Sequence, residues 1–569
     1  MEQDVFKIKI GGLAGQGIKS SGVMLSKVAT RSGYDIYNYL EYQSLIRGGH
    51  NCMQISVSKK PVFGPSNRND FLIALNSETI DLHLKELNPG SSILFDESIK
   101  VKPPEGVKLF PISLLKLAAK AGGGEILSNT VALGASIALL GGDLKIFLDL
   151  INEEYSTKTP EIAKLNQKAA ELGFNFAIEK FAKGIKKIIP KQESAETKMV
   201  IEGTEALATG AIAAGVEFAA IYPMSPIAGL LHFLAFYQEK YGYIFKQPED
   251  EISAINMAIG ASFAGARSMT ATSGGGFSLM TEGYGLAGMT ETPLVIIEGM
   301  RPGPATGLPT WSGQGDLQFI LHAHQGDFPR IVLAAGDIKE AFELTMQAFN
   351  LADKYQTPVV LLVDKNICEH NQSFPTFDIS SYEINRGKLT KELIPNYQRY
   401  KKEDDGISQR TIPGTGNFFI TNSYEHDSFG FSTEAENEVK DQMEKRMSKL
   451  KTIESDMPIP QLFGPEEADI TIVSWGSNKG SILEALKLFN NVNFIHLTGL
   501  NPFPSDSVKT KLEKARHIID IECNYTGQLA GLIREKTGIE IKDLFLKFDG
   551  RPIFKEEIVD KINSVLKRS

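Results

Sequence analysis

Short apolar or alternating runs recur along the chain, broken by glycines, prolines and charged clusters, and they sort by length into two kinds. Runs of strand length are Val5–Ile10, Met53–Val57, Asp70–Leu75, Ser92–Phe95, Glu217–Tyr222, Ser268–Thr272 and Pro293–Gly299, with Ala468–Ser474, Asn493–Leu497 and Ile518–Ile521 further on. Between them lie longer stretches that predict helices, among them Ile18–Ser32, Gly203–Gly215 and Ile252–Ala266. The last is almost wholly small and apolar and lacks proline, so its length favours helix over strand. Its Ser253, Ala254, Gly260, Ala261 and Gly265 permit close backbone approach, which predicts a helix buried against a neighbour. Strands alternating with helices predict an α/β protein built from open, doubly wound sheets.

A chain of 569 residues exceeds a single core and predicts roughly three to five domains. Residues 1–190 read as one α/β domain and residues 191–198 as a polar linker. A second α/β domain spans 199–380 and a third spans 461–569. Between them, residues 381–460 are rich in charge and read as a long connection that packs over its neighbours, with an amphipathic helix near Glu434–Leu450.

Candidate chemistry collects at the predicted strand ends, where open α/β sheets bind ligands. Glu251 stands at the mouth of the small-residue helix, Ser273 and Gly274–Gly276 follow the strand Ser268–Thr272, and Arg301 ends the strand after that. A carboxyl group desolvated by apolar neighbours can hold a proton near neutrality; the same residue type is also at home at a helix N-terminus, drawn by the dipole. Ser225, held between Pro223-Met224 and Pro226, suits a positioned hydroxyl donor or a plain turn serine. Near the N-terminus, Gly11–Gly17 (GGLAGQG) joins a strand to a helix. There Gly15, Gln16 and Gly17 make a backbone cradle for an anion, or a tight turn with no ligand. The spacing is neither a dinucleotide fingerprint nor a P-loop. The loop Ser44–Asn51 (SLIRGGHN) adds Arg47 and His50, the latter read as a satisfied loop histidine. No third ligand stands at usual spacing from His322 and His324, and Glu425-His426-Asp427 reads as a solvated loop, so no metal site is expected.

Net charge of −9 argues against nonspecific nucleic-acid binding. Cys52, Cys368 and Cys523 are far apart, which leaves no disulfide framework and no self-contained iron–sulfur or zinc motif. No apolar run reaches membrane-spanning length without glycine or charge, and the start MEQDVFKIKIGG does not resemble a signal peptide. A cytoplasmic protein with no membrane contact is the expectation.

Several ordered stretches resemble the alpha subunit of 2-oxoacid:ferredoxin (acceptor) oxidoreductases with the gamma domain fused to its N-terminus. GGLAGQG and SLIRGGHN are similar to the gamma part, and EISAINMAIGASFAGARSMTATSGGGFSLMTEGYGLA with RPGPATGLPT to the pyrimidine-binding domain. DGISQR, EHD, GLNPFPSD and ECNYTGQLAGLIREKTG are similar to the later alpha segments. The resemblance implies a multidomain α/β fold: a Rossmann-like gamma domain, a thiamine diphosphate-binding fold of pyrimidine type, and a transketolase C-terminal-like doubly wound domain. It implies coenzyme A-dependent oxidative decarboxylation of a 2-oxoacid, with a weak lean to 2-oxoglutarate, and electrons passed to ferredoxin. Glu251 would bond N1′ of the aminopyrimidine and promote the imino form that generates the ylid. Arg301 would hold the substrate carboxylate, with Ser225 beside it. Ser273 and Gly274 would face the thiamine, and Gly15, Gln16 and Gly17 the coenzyme A. The family's Tyr-Pro-Ile-Thr-Pro appears here as Tyr222-Pro223-Met224-Ser225-Pro226, which keeps the hydroxyl and loses a methyl. No Gly-Asp-Gly motif for the diphosphate is present. A beta subunit is therefore expected to supply Mg²⁺, the diphosphate site and at least one iron–sulfur cluster, in a dimer of heterodimers. The alternatives are another thiamine diphosphate enzyme component, or a non-catalytic subunit of such a complex.

Overall fold

The computed structural model describes residues 5–43, 48–156, 159–193 and 196–568; Arg47 of the SLIRGGHN loop lies outside them. The described chain forms two compact units, the first comprising residues up to Glu202 together with His370–Phe377 and Phe554–Glu557.

In the first unit the strands are β1 (Val5–Leu13), β2 (Asp35–Glu41), β3 (His50–Ser58), β4 (Asn69–Ala74), β5 (Leu87–Asp96), β6 (Lys108–Ile112) and β7 (Met199–Glu202). They lie in the order β6-β5-β4-β1-β3-β2, followed by the later strand Asn371–Phe374 and then β7. The half from β6 to β1 is parallel and Rossmann-like. β3 and β2 extend it antiparallel, as suits two strands joined without a crossover helix. Residues 191–198, expected as a linker, are held to the first unit near both ends. Gln192 Nε2 donates to the Tyr34 hydroxyl at 2.7 Å, and Lys198 pairs with Asp35 at 2.7 Å. The expected boundary before residue 199 moves to follow Glu202, because β7 completes this sheet.

The second unit carries β8 (Phe218–Ile221), β9 (Ile244–Lys246), β10 (Ser268–Thr272), β11 (Leu294–Met300), β12 (Ile331–Ala334) and β13 (Pro358–Asp364). After β14 (Asn371–Phe374), which belongs to the first unit's sheet, come β15 (Gln461–Phe463), β16 (Ile470–Trp475), β17 (Val492–Leu497), β18 (Gly499–Asn501), β19 (His517–Glu522) and β20 (Asp543–Leu546). One sheet runs β18-β12-β13-β11-β10-β8-β9 and the other β15-β17-β16-β19-β20. Both are parallel apart from their edge strands β18 and β15. In the first of these sheets the strand order reverses between β8 and β10, and in the second between β16 and β19. A crevice opens at the carboxyl ends of the strands at each reversal. Gln314 fills the second crevice: its Nε2 donates to the Trp475 carbonyl at 3.1 Å, and its Oε1 accepts from Asn478 at 2.8 Å and from Cys523 N at 2.9 Å. The other crevice lies beside β8 and β10.

The charged connection contains a helix, Glu436–Glu454, whose Lys445, Arg446 and Lys449 are buried. They meet partners that the linear sequence hides. Lys445 and Lys449 reach Glu291 at 2.6 and 2.5 Å, and Arg446 takes Glu425 through both carboxylate oxygens. Glu425-His426-Asp427 is thus no solvated loop: His426 is buried and Glu425 is an internal counter-ion.

A second buried carboxylate joins the two sheets of this unit. Glu340, in the first turn of the helix Ile338–Tyr355, accepts from Gly336 N at 2.7 Å, from His496 of β17 at 2.9 Å and from Lys479 at 2.5 Å. Burial alone would raise its pKa, but His496 and Lys479 outweigh that and lower it from 4.5 to about 2. A folded-state value below the unfolded one contributes stability that is intact above pH 4.5 and is lost as the pH falls towards 2. Glu340→Gln is therefore expected to flatten the acid limb of a stability–pH profile below 4.5, removing roughly 2–3 kcal/mol of pH-dependent stability. A set of chemical denaturation curves between pH 2 and 6 checks it.

Candidate active site

Four strand ends lie at the crevice beside β8 and β10. β8 leads into Tyr222–Pro226, β9 into Gln247–Glu251, β10 into Ser273–Gly276, and β11 into Arg301. Glu251, Ser225, Ser273, Gly274 and Arg301 therefore share the carboxyl edge of one sheet. Gly15, Gln16 and Gly17 belong to the other unit.

Glu251 is the first residue of the helix Glu251–Phe263, yet it does not cap it. Asp250 does, its Oδ1 accepting from Ser253 N at 2.7 Å. Glu251 is left 4% exposed, with its carboxylate against Gly276. A Cβ at Gly276 would lie 2.6 Å from Glu251 Oε1 and 2.1 Å from Thr272 Oγ1. One at Gly274 would lie 2.5 Å from Asp316 Oδ2. The glycines at 274 and 276 are thus required by the approach of two carboxylates to the first turn of the helix Gly274–Met289. Ser273 occupies the N-cap of that helix without making a cap bond, and its buried hydroxyl has no partner among the described residues. An acid held in a cradle that any side chain would fill, beside an unpaired buried hydroxyl, fits the polar edge of an aminopyrimidine.

Arg301 is half-buried and donates from Nη1 to the Ser225 carbonyl at 2.9 Å, so the β8 and β11 ends are joined through it. Ser225 thereby contributes its main chain to the site. Two further acids escaped sequence reasoning. Glu298, fully buried in β11, is driven well above its usual range by burial and by the neighbouring Asp316. Neither Glu298 oxygen meets a protein donor among the described residues. A proton on Glu298 shared with Asp316 resolves both facts, leaving one negative charge on the pair to face Arg301. The signal was a single acid inside the apolar run LVIIEGM.

In the first unit, Gly15 and Gly17 adopt left-handed backbone at φ 92° and 71°, and a Cβ at Gly15 would meet nothing within 4 Å. Gln16 turns back on its own loop, its Oε1 accepting from Leu13 N at 2.8 Å, so its carboxamide is a loop staple. His322 and His324 each place Nδ1 on a main-chain carbonyl, that of Gln318 and of Gln325. Among the described residues no helix is long and apolar enough to cross a membrane.

A family model described as pyruvate flavodoxin/ferredoxin oxidoreductase, thiamine diphosphate-binding, matches residues 209–447, and one described as pyruvate ferredoxin/flavodoxin oxidoreductase matches residues 7–176. The 2-oxoacid:ferredoxin oxidoreductase subunit alpha of Saccharolobus solfataricus is 33% identical over 98% of this chain and 97% of its own. The 2-oxoglutarate oxidoreductase subunit KorA of Mycobacterium tuberculosis is 29% identical over 98% of this chain and 91% of its own. The solved 2-oxoglutarate:ferredoxin oxidoreductase from Magnetococcus marinus, with 2-oxoglutarate, coenzyme A and succinyl-CoA bound, superposes with a TM-score of 0.93. That match has 30% identity and covers 99% of this chain and 100% of that one. With strand-end acid, triple glycine and arginine in place on a chain matched along its whole length, the protein belongs to the 2-oxoacid:ferredoxin oxidoreductase alpha-subunit family, in the form with a fused gamma domain.

Proposed function

We propose that this chain is the substrate-binding subunit of a coenzyme A-dependent 2-oxoacid oxidoreductase that passes electrons to ferredoxin, with 2-oxoglutarate as its substrate. The carrying observation is Glu251, which follows β9 and is buried against Gly276, two strand positions from Ser273 and three from Arg301. When bound, thiamine diphosphate supplies the nucleophilic carbon and the electron sink for loss of CO2. Glu251 would hold a proton at N1′ of the aminopyrimidine, and Ser273 and the Gly274–Gly276 turn would receive its edge. Arg301, always charged and able to bind both oxygens of a carboxylate, would orient the 2-oxoacid, with the Ser225 hydroxyl beside it. The Glu298–Asp316 pair keeps Arg301 charge-balanced before substrate arrives.

The three cysteines are buried and lie far apart in the chain, too few for a four-thiolate cluster. A beta subunit would therefore bring the iron–sulfur cluster, the Mg²⁺ and the diphosphate site, the whole assembling as a dimer of heterodimers. Coenzyme A is assigned to the Gly15–Gly17 turn, whose exposed backbone opens a 14-residue helix, Ile18–Arg31. The choice of 2-oxoglutarate over pyruvate is supported by the relatives in Magnetococcus and Mycobacterium.

A panel of 2-oxoacids on the co-expressed complex, read by reduction of a low-potential viologen, tests this reading. 2-Oxoglutarate is expected to give the highest kcat/KM, and only with coenzyme A present. Arg301→Lys is expected to lower that value roughly 10–100-fold through loss of a charged bidentate contact, and Gly15→Val to raise the KM for coenzyme A. Turnover independent of coenzyme A, or dye reduction with none of the acids, defeats the proposal. Reduction of lipoamide in place of the dye points to a dehydrogenase component instead.

A further inference from the structure

β3 carries a second cluster of chemistry, remote in sequence from the residues above. His50 and Cys52 lie two apart on this strand, so they project from the same face of the sheet. Cys52 sits opposite Gly11 on β1 and opposite Glu41 on β2. The helix Ser77–His83 ends over this face and brings His83 to it. A Cβ at Gly11 would lie 2.7 Å from Thr79 and 2.9 Å from the His50 ring; the missing side chain is what lets helix and histidine close on each other.

From these residues we infer that His50, Cys52 and His83 form a zinc site in the N-terminal unit. Their donor atoms all lie within 4.8 Å of one another, and the two Nε2 atoms face each other at 2.9 Å. A tetrahedral ion with Zn–N near 2.0–2.1 Å and Zn–S near 2.3 Å needs its donors about 3.3–3.6 Å apart, so the nitrogen pair opens by a few tenths of an ångström and the widest pair closes by up to about 1 Å. Glu86 accepts from His83 Nδ1 at 2.8 Å, which fixes the tautomer and turns the Nε2 lone pair towards His50. A carboxylate behind a ligating histidine is the usual outer shell of a zinc site. Charge also closes: Zn²⁺ and Lys9 stand against the Cys52 thiolate, Glu86 and Glu41, with Lys9 on Glu86 at 2.6 Å and Glu41 3.9 Å from the sulfur. Two nitrogens and one thiolate suit Zn²⁺ over Mg²⁺ or Ca²⁺. Three protein donors leave a fourth place, which half-buried His50 opens to solvent. The expectation of no metal site rested on linear spacing; here the pairing of β1 with β3 and the end of one helix make the cluster.

The full-length chain, freed of any tag, stripped by a chelator and dialysed, is titrated with Zn²⁺ against a chromophoric competitor. One equivalent per chain is expected. His50→Gln and Cys52→Ser should each weaken binding at least tenfold, and Glu86→Gln roughly 10–100-fold. Co²⁺ in place of Zn²⁺ should give thiolate-to-cobalt charge-transfer absorption that vanishes in Cys52→Ser. Zn²⁺ should also raise the melting temperature of the parent chain and not of His50→Gln. Circular dichroism confirms that each variant is folded, and His50→Gln, at a partly exposed position, serves if Cys52→Ser is not. Binding well below one equivalent, or affinity unchanged in the folded variants, overturns the assignment.

Discussion

Replacing Glu291 by glutamine is expected to destabilise the chain by about 3–5 kcal/mol, because it strips the shared counter-ion from two buried ammonium groups. Glu291 is fully buried where the helix Gly274–Met289 turns into β11, in left-handed backbone at φ 49°. Lys445 and Lys449, equally buried, form ion pairs with its Oε1 and Oε2, and Arg399 donates to its carbonyl at 2.8 Å. Burial alone would raise the Glu291 pKa, but Lys445 and Lys449 outweigh it and hold the carboxyl far below its usual range. Its contribution is therefore complete above the ordinary carboxylate range and fades as the pH falls through that range and below. The neutral amide keeps the shape and loses the charge, leaving both lysines to be neutralised or hydrated. Thermal and denaturant unfolding of the purified chain measure the loss. A double variant, Glu291→Gln with Lys445→Met, should recover part of it, since removing a second buried charge removes its desolvation cost. A loss under 1 kcal/mol in the single variant would show that the pair is solvated in solution.

That buried charge marks the limit of what the pattern of residues could say. The strands of the second unit were legible because they are short apolar runs between glycines: Ser268–Thr272 was placed at its observed ends, and Glu217–Tyr222 and Pro293–Gly299 within a residue or so of theirs. Strand ends carry the ligand crevice in this fold class, so Glu251, Ser273 and Arg301 stand out in the sequence by their places just after predicted strands. The connection 381–460 was harder to read for a physical reason. Hydropathy scores a lysine as exposed, whereas Lys445 and Lys449 are buried by pairing with an acid more than a hundred residues away in sequence. The same holds for Glu298, which is buried beside Asp316 of a distant loop, and for His83, which reaches His50 only once the sheet has formed. Asp250 and Glu251 show the reverse case, adjacent acids that local rules treat alike. Tertiary structure makes one the helix cap and the other the buried acid.

The division between those two acids leads to the sharpest expected effect on catalysis. In the complex with its partner, Glu251→Gln should lower kcat by roughly 10²–10⁴, the usual contribution of a positioned proton-transfer group. Gly276→Ala should approach the same loss without altering any titratable group, since its Cβ would fall 2.6 Å from Glu251 Oε1 and 2.1 Å from Thr272 Oγ1. Backbone and acid would have to separate, and a misplacement of about 1 Å in a catalytic group is enough to cost about 10²-fold. Asp250→Asn separates a cap from a catalyst: it keeps a side chain able to accept from Ser253 N and should leave kcat within a few-fold of the parent. Two readouts besides turnover make the comparison specific. Exchange of the cofactor's C2 proton with deuterium, followed by magnetic resonance after acid quench, should slow in Glu251→Gln and Gly276→Ala alike. The melting temperature should fall in Gly276→Ala, where packing is strained, and change little in Glu251→Gln, where a buried acid becomes a neutral amide of the same shape. Undiminished proton exchange in Glu251→Gln would remove Glu251 from the reaction and leave it a buried residue of the helix entrance.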